Sequence, residues 1–377
     1  MEFEITRIEF LEGLRLTQGV VERRNTLPIL SNVLIEPAGE QRISILATDL
    51  DIGVRRFCDA TVKGSGSITV NARKLFELVR EIEGEIIHVR SGDGNRVEIS
   101  SGKKRSNLVG LDPKEFPTVP GLAAKPGKGA SELKAKAALL ASMIESTLFA
   151  VSLDETRINL SGVYVENHDA SLRMVATDGH RLAMVDREVG TGRVPDKGVI
   201  LPRKGLVEAK KLLETADGAD ETVTLWIDGP IARLSRGGAE LFMRLIDGEF
   251  PDYKQVIPKQ SKATLNLSRQ GFLRALGFVS VLSTERAKGV RITLKPGAIE
   301  VQASNPDFGD GTDEIDAAGY TGEEVSIGFN GRYLIEALGA MHDVERIEFL
   351  ASDDVSPGVL RPENDDSYQY VVMPMRL

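Results

Sequence analysis

The stretch Leu172–Arg181, "LRMVATDGHR", is an apolar run that stops on an aspartate, a glycine and a histidine. Two chemistries fit it. Asp178 and His180 stand two apart, as an orienting carboxylate and a general base would, or Asp178 is a turn former whose side chain binds the backbone that follows it. The rest of the chain bears on the choice. "ISILATDLDI" begins at Ile43 and "IEVQASNPDF" at Ile299. Each is an alternating apolar strand ending in Ala, Thr or Ser and then Asp or Asn, and the copies lie about 130 residues apart. The aspartate recurs as Asp49 and Asn305, whereas His180 belongs to one copy. Recurrence favours a turn. The singular "GHRL" stays open between a binding site and a packed histidine. No nucleophile or oxyanion loop accompanies the pair, so no catalytic residue is assigned.

Further sets repeat in step. "NARKLFEL" at Asn71, "PRKGLVEA" at Pro202 and "NGRYLIEA" at Asn330 share a basic residue, any residue, Leu, an apolar residue and Glu. Leu75, Leu78, Val79 and Ile82 recur at helical spacing, while Arg73 and Arg80 fall on another face. Opening helices are expected near 7–20, 134–148 and 268–282, the last burying Phe272, Ala275, Leu276, Val279 and Leu282. "LDPKEFP" at Leu111 and "LIDGEFP" at Leu245 close the first two copies; the third ends in "YVVMPMRL". "KGSGS" and "SGDGN" read as turns, and "GSGS" at 64–67, lacking the Lys-Ser/Thr of a phosphate loop, as a hairpin. The chain is thus three copies of one α+β unit, spanning 1–121, 130–258 and 259–377, with breaks at "GLAAKPGKGA" (121–130) and near "PKQSK" (258–262).

Composition sets the class. The 377 residues are 41% hydrophobic and 27% charged, with a net charge of −9 and one cysteine, Cys58. No apolar run approaches the roughly 20 residues of a membrane helix, and the start lacks a secretory pattern, so a cytoplasmic protein without membrane contact is expected. A lone cysteine excludes an internal disulfide and a cysteine-cluster metal site; His88, His168 and His342 are scattered, and neither metal nor cofactor is expected. The acidic balance argues against coating nucleic acid with the whole surface. Lys134 and Lys136, Arg203 and Lys204, Lys210 and Lys211, and Arg269 gather near expected helix starts, as either a solvated face or a phosphate-facing one.

Three repeats, "NTLPILSNVLIE" (25–36), "ATDGHRLA", "DGEFPDY" (247–253) and the terminal "YVVMPMRL" together resemble the β sliding clamps of bacterial DNA polymerase III over essentially the whole chain. The resemblance implies three clamp-fold domains, with antiparallel sheets outside and helices lining a central hole. It implies a head-to-tail homodimeric ring on duplex DNA, held without sequence preference. It implies partners as well: the replicative polymerase, an ATP-dependent clamp loader and other proteins carrying short glutamine-and-hydrophobe peptides. DNA contacts fall on Arg24, Arg73 and the loop Asp154–Asn159, with Ile158 and Asn159 standing where an aromatic pair can meet DNA. The peptide pocket falls on Leu160, Thr177, Gly179, His180, Arg181 and Leu182, then Pro251 and Val256, then Val371, Val372, Met373, Pro374 and Met375. Gln255 stands where a basic pocket residue is common. The dimer seam falls on Lys103, Lys104, Arg105 and Leu108 against Val281, Leu282, Asp313 and Glu314; Lys103–Arg105 lie in a basic run, "SGKKRSN" (101–107), and Asp313 and Glu314 in an acidic one, "PDFGDGTDEID" (306–316). A hydrolase built on Asp178 and His180 and a monomeric peptide-binding adaptor are the alternatives.

Overall fold

The computed structural model describes residues 1–21, 27–119, 127, 129–214, 221–283 and 288–377. Arg24 and most of the 121–130 segment lie outside the described residues. Six helices are described: α1 (Arg7–Gln18), α2 (Ala72–Glu81), α3 (Ala137–Leu148), α4 (Arg203–Leu213), α5 (Arg269–Ser280) and α6 (Gly331–Ala340). Local chemistry starts several of them. Thr6, Asn71, Ser268 and Asn330 each sit just before a helix and accept an N–H of its first turn, at 3.3, 3.0, 3.1 and 3.1 Å, satisfying donors the helix cannot. α2 buries Ala72, Leu75 and Val79, with Leu78 half-buried.

Element order repeats with the sequence: a strand, a helix, four or five strands, a helix, three strands, three times over. These are three copies of one α+β unit. All strand pairing is antiparallel, and it divides the described chain into two compact units. The first comprises Met1–Ala141, Val189–Pro195 and Lys204–Leu245. It holds a five-stranded sheet ending at Lys104–Val109 and a nine-stranded sheet. In the larger sheet Ala239–Arg244 of the second repeat pairs with Ile52–Asp59 of the first, Leu241 opposite Val54. The second unit comprises Ser142–Glu188, Asp196–Arg203 and Ile246–Leu377. Its twelve strands join where Arg181–Arg187 pairs with Tyr368–Val372, Arg181 opposite Val372 and Leu182 opposite Val371. Each half of the middle repeat therefore completes a neighbour's sheet. Phe272, Phe329 and Phe349, all buried, form one aromatic core, with Phe349 about 6 Å from both others.

Four expectations need correction. The third helix begins at Ala137, not 134: Lys134 and Lys136 belong to the strand Ser131–Lys136, whose alternating burial matches a strand period. α5 stops at Ser280, leaving Val281 80% exposed and Leu282 only half-buried. "GSGS" is no hairpin, because Thr61–Gly64 and Ile68–Asn71 belong to different sheets and the glycines carry the chain between them. Arg42–Thr48 and Ser171–Thr177 are buried on both faces rather than one, since the closing loops reach back over them, Phe116 and Val119 packing with Leu46, and Phe250 and Tyr253 with Val175.

Candidate functional site

Asp178, Gly179 and His180 form a turn between the strands Ser171–Thr177 and Arg181–Arg187. Asp178 Oδ1 accepts the N–H groups of His180 and Arg181 at 2.9 and 3.1 Å, and Thr177 Oγ1 accepts from Gly179 N and donates to Arg181 O. Thr48 and Asp49 repeat all four bonds on Leu50, Asp51 and Ile52. Asn305 accepts from Asp307 N at 3.0 Å. The other Asp178 oxygen meets Arg181 Nε at 3.1 Å, so the carboxylate is occupied by its own turn and cannot orient His180. The aspartate is a turn former, as its recurrence suggests.

Arg181 is buried, and its guanidinium reaches away from solvent. It donates to Phe149 O at 2.7 Å, forms an ion pair with Glu336 of α6 and lies 4.4 Å over the Tyr333 ring. In this position it bolts the turn to α6. Leu182, Val371 and Val372 are likewise buried, as are Leu160 and Thr177, so these residues form a floor beneath the surface of the turn and the tail. Exposed or half-buried around that floor are Gly179, His180, Pro251, Val256, Met373, Pro374 and Met375. The tail supplies the last three. Its strand ends at Val372, after which Met373 donates its N–H to His180 O at 2.9 Å.

Beneath this surface Val175, Leu182, Met184, Tyr253, Val359 and Val371 form one apolar cluster, with Tyr164, Phe250 and Val256 packed on it. Tyr164 stacks on Phe250 at 5.0 Å. Arg173, nearly buried, takes both oxygens of Asp186 at 2.6 Å and donates to Tyr253 Oη, which in turn donates to Glu166. Burial pushes the Tyr253 phenol up, and its bond to Glu166 adds to that. Sequence reasoning did not name these aromatic supports, although "DGEFPDY" carries Phe250 and Tyr253 in a quoted motif.

The loop Asp154–Asn159 adjoins the same turn. Arg157 bridges the two, donating to Asp154 Oδ2 at 3.0 Å and to Asp178 O at 2.7 Å. Asp154 also accepts from the Thr156 hydroxyl and N–H, which hold its carboxyl below the usual range. Ile158 is 61% exposed; Asn159 donates to Glu249 O. Gln255 is engaged with Asp252 at 2.9 Å. Arg73, in the first unit, is exposed on α2 and pairs with Glu77 at 2.8 Å. The 420 Å³ hollow beside it is lined by Gln18, Ser31, Arg73, Phe76 and Arg80.

Both expected seam segments are sheet edges. Lys104–Val109 ends its sheet, and Gly309–Ala318 meets Ala263–Ser268 only at Ala317 and Ala318, leaving the rest of one edge unpaired among the described residues. Lys104 reaches Glu81 O and Glu83, Arg105 pairs with Glu98, and Glu314 with Lys295; these charges are already partly balanced within the chain. Lys103 is exposed, and Asp313 and Leu108 are half-buried. Beside the acidic edge Phe278 is 60% exposed, an apolar residue the helix period alone did not single out. Among the described residues no group of three or more His, Cys, Asp or Glu could hold a metal ion, and no helix is long and apolar enough to cross a membrane.

Comparison with known proteins covers the whole chain. Residues 1–120, 134–252 and 254–376 match the family models described as the N-terminal, central and C-terminal domains of the DNA polymerase III beta subunit. The chain is 37% identical to the beta sliding clamp of Caulobacter vibrioides and 34% identical to that of Pseudomonas aeruginosa, with 100% of each chain covered. A solved structure of the sliding clamp of Bartonella birtlesii bound to griselimycin superposes with a TM-score of 0.92 at 36% identity over the full length of both chains.

Proposed function

The chain belongs to the beta subunit family of bacterial DNA polymerase III and acts as a sliding clamp of DNA replication; from that premise we propose how its parts do the work. Its domains run 1–121, 130–258 and 259–377. Two copies join head to tail, the edge Lys104–Val109 of one adding to the edge Gly309–Asp316 of the other, with Leu108 against Val281, Leu282 and Phe278. The two edges differ, so the contact is heterologous, and using it twice closes a ring. Duplex DNA passes through. Arg24, Arg73 and the loop Asp154–Asn159 touch phosphates, which position a protein without reading bases, and contacts indifferent to sequence let it slide.

Processivity then comes from topology. A closed ring cannot dissociate sideways, so weak phosphate contacts suffice, and the chain performs no bond chemistry itself. Opening the ring falls to a separate ATP-driven loader. The polymerase, the loader and other partners, working in the cytoplasm, bind by short peptides in the cleft between Gly179–His180 and Met373–Met375. The observation that carries this reading is one difference among three alike turns: the exposed "GH" of the second repeat lies beside the tail. Methionine suits such a surface because its flexible thioether fits several partners.

Retention on DNA tests the ring. Loaded onto a nicked circle, the protein should remain until the circle is linearised and then slide off; equal loss from circle and line overturns the topology. Val281→Asp with Leu282→Asp should sediment as a monomer, and a double variant that stays dimeric places the seam elsewhere.

A further inference from the structure

We propose that Gly289 and Gly328 are positioning residues for the peptide site: their missing side chains seat the end of the chain, and that seat holds Met373–Met375 in place. The proposal rests on the peptide-site reading above. Gly289–Lys295 and Val325–Asn330 pair antiparallel, with Gly289 opposite Asn330 and Arg291 opposite Gly328. Residues opposite one another, or two apart on one strand, share a face, so both glycines look out from the same side. Val290, Ile292, Ile327 and Phe329 fill the other side and are fully buried.

The tail lies on the glycine side. Met375 donates its N–H to Gly328 O at 2.8 Å. A β-carbon on Gly328 would stand 2.4 Å from the Met375 carbonyl oxygen and 2.7 Å from Leu377 Cγ, and one on Gly289 would stand 2.4 Å from Leu377 Cδ2. Neither glycine has a positive φ, so the backbone at both positions accepts any L residue and what the glycines provide is room. At its other end the segment is tied by Met373 N to His180 O at 2.9 Å. Pro374 between them has no N–H to donate. Met373, Pro374 and Met375 are therefore strung between two backbone anchors, half-buried, with one anchor set by the second repeat and the other by the two glycines.

The test uses the full chain and a synthetic peptide in which a glutamine precedes two or three large apolar residues. Gly328→Ala meets backbone and should weaken the peptide about tenfold by calorimetry, the equivalent of ~1.4 kcal/mol. Gly289→Ala meets only the movable end of Leu377 and should cost about threefold. In both, deuterium exchange at the Met375 amide and carboxypeptidase release of Leu377 should accelerate, while thermal melting and dimer sedimentation hold. In a chain ending at Met375, Gly289→Ala should be silent, because its partner is gone. An equal effect of Gly289→Ala in the shortened chain, or unchanged tail exchange and peptide affinity in Gly328→Ala, overturns the proposal. An unaltered chain that does not bind the peptide overturns the peptide-site reading and with it the positioning role, while tail exchange in the glycine variants still decides whether they seat the tail.

Discussion

In the first repeat Thr48 and Asp49 hold the turn after their strand; in the second, Thr177 and Asp178 hold its counterpart through the same four hydrogen bonds. What lies around the two turns differs. Asp49 pairs with Lys204, whose side chain is partly exposed, whereas Asp178 pairs with Arg181, a buried cation that also engages Glu336. The third turn residue is Leu50 at φ 84° in one and Gly179 at φ 89° in the other. One turn keeps a side chain over its backbone; the other exposes that backbone beside the tail. The hydrogen-bonded frame belongs to the fold, and specialisation resides in the partners added to it.

The largest contrast should come from the two cations. Arg181→Ala leaves Asp178 and Glu336 without their buried partner and should cost about 3–5 kcal/mol in urea unfolding, against about 1–2 kcal/mol for Lys204→Ala, whose side chain is 39% exposed although its partner Asp49 is buried. Equal losses would mean that the two turns are supported alike. Next comes the tail. Truncation before Met373 should leave a folded dimer but remove one or two apolar anchors worth roughly 1.5–3 kcal/mol each, so polymerase-derived peptide binding falls tenfold or more per anchor. Unchanged affinity by calorimetry would place the cleft elsewhere.

Acid should separate the turns more gently. Burial alone would raise the Glu336 carboxyl, but Arg332 and Arg181 outweigh it and hold the group below its ordinary 4.5. A depressed carboxyl contributes stability that is present above the unfolded-state value and lost as pH falls through the folded one. Unfolding midpoints of the native chain should therefore drop as pH falls below about 4.5, and Arg181→Ala should flatten that decline; parallel curves would sever Glu336 from the bolt. The smallest effect is expected at Leu50. Leu50→Gly relieves a left-handed backbone at some entropic cost, and should stabilise by about 0.5–1 kcal/mol in thermal unfolding.

Periodicity made the repeats, the helices that follow Asn71 and Asn330, and the stripe Leu75–Val79 legible in the sequence, because each is a local pattern. The tail was legible as an unusual apolar end. Its burial was not, since whether Val371 and Val372 form a floor or a wall depends on Arg181–Arg187, far away in sequence. Arg181 read as a contact because "GHRL" is special; its direction is decided by Glu336 and Tyr333, which no local pattern links to it. Gly289 and Gly328 carried no signal of their own, as neither sits in a turn and their neighbour is the last residue of the chain. "GSGS" was misplaced for the same cause: a turn motif states that the chain bends and not which sheet it enters next.

The way the sheets are shared sets the cooperative units of the chain apart from its inherited ones. Repeats mark how the sequence was built, yet the second repeat gives Ala239–Arg244 to one sheet and Arg181–Arg187 to another. Cutting it free at its linkers would bare two long strand edges that are now paired, the condition under which β proteins aggregate. Partial unfolding should therefore run through the interior of the middle repeat and spare the joins at its ends, leaving two foldons where the sequence counts three.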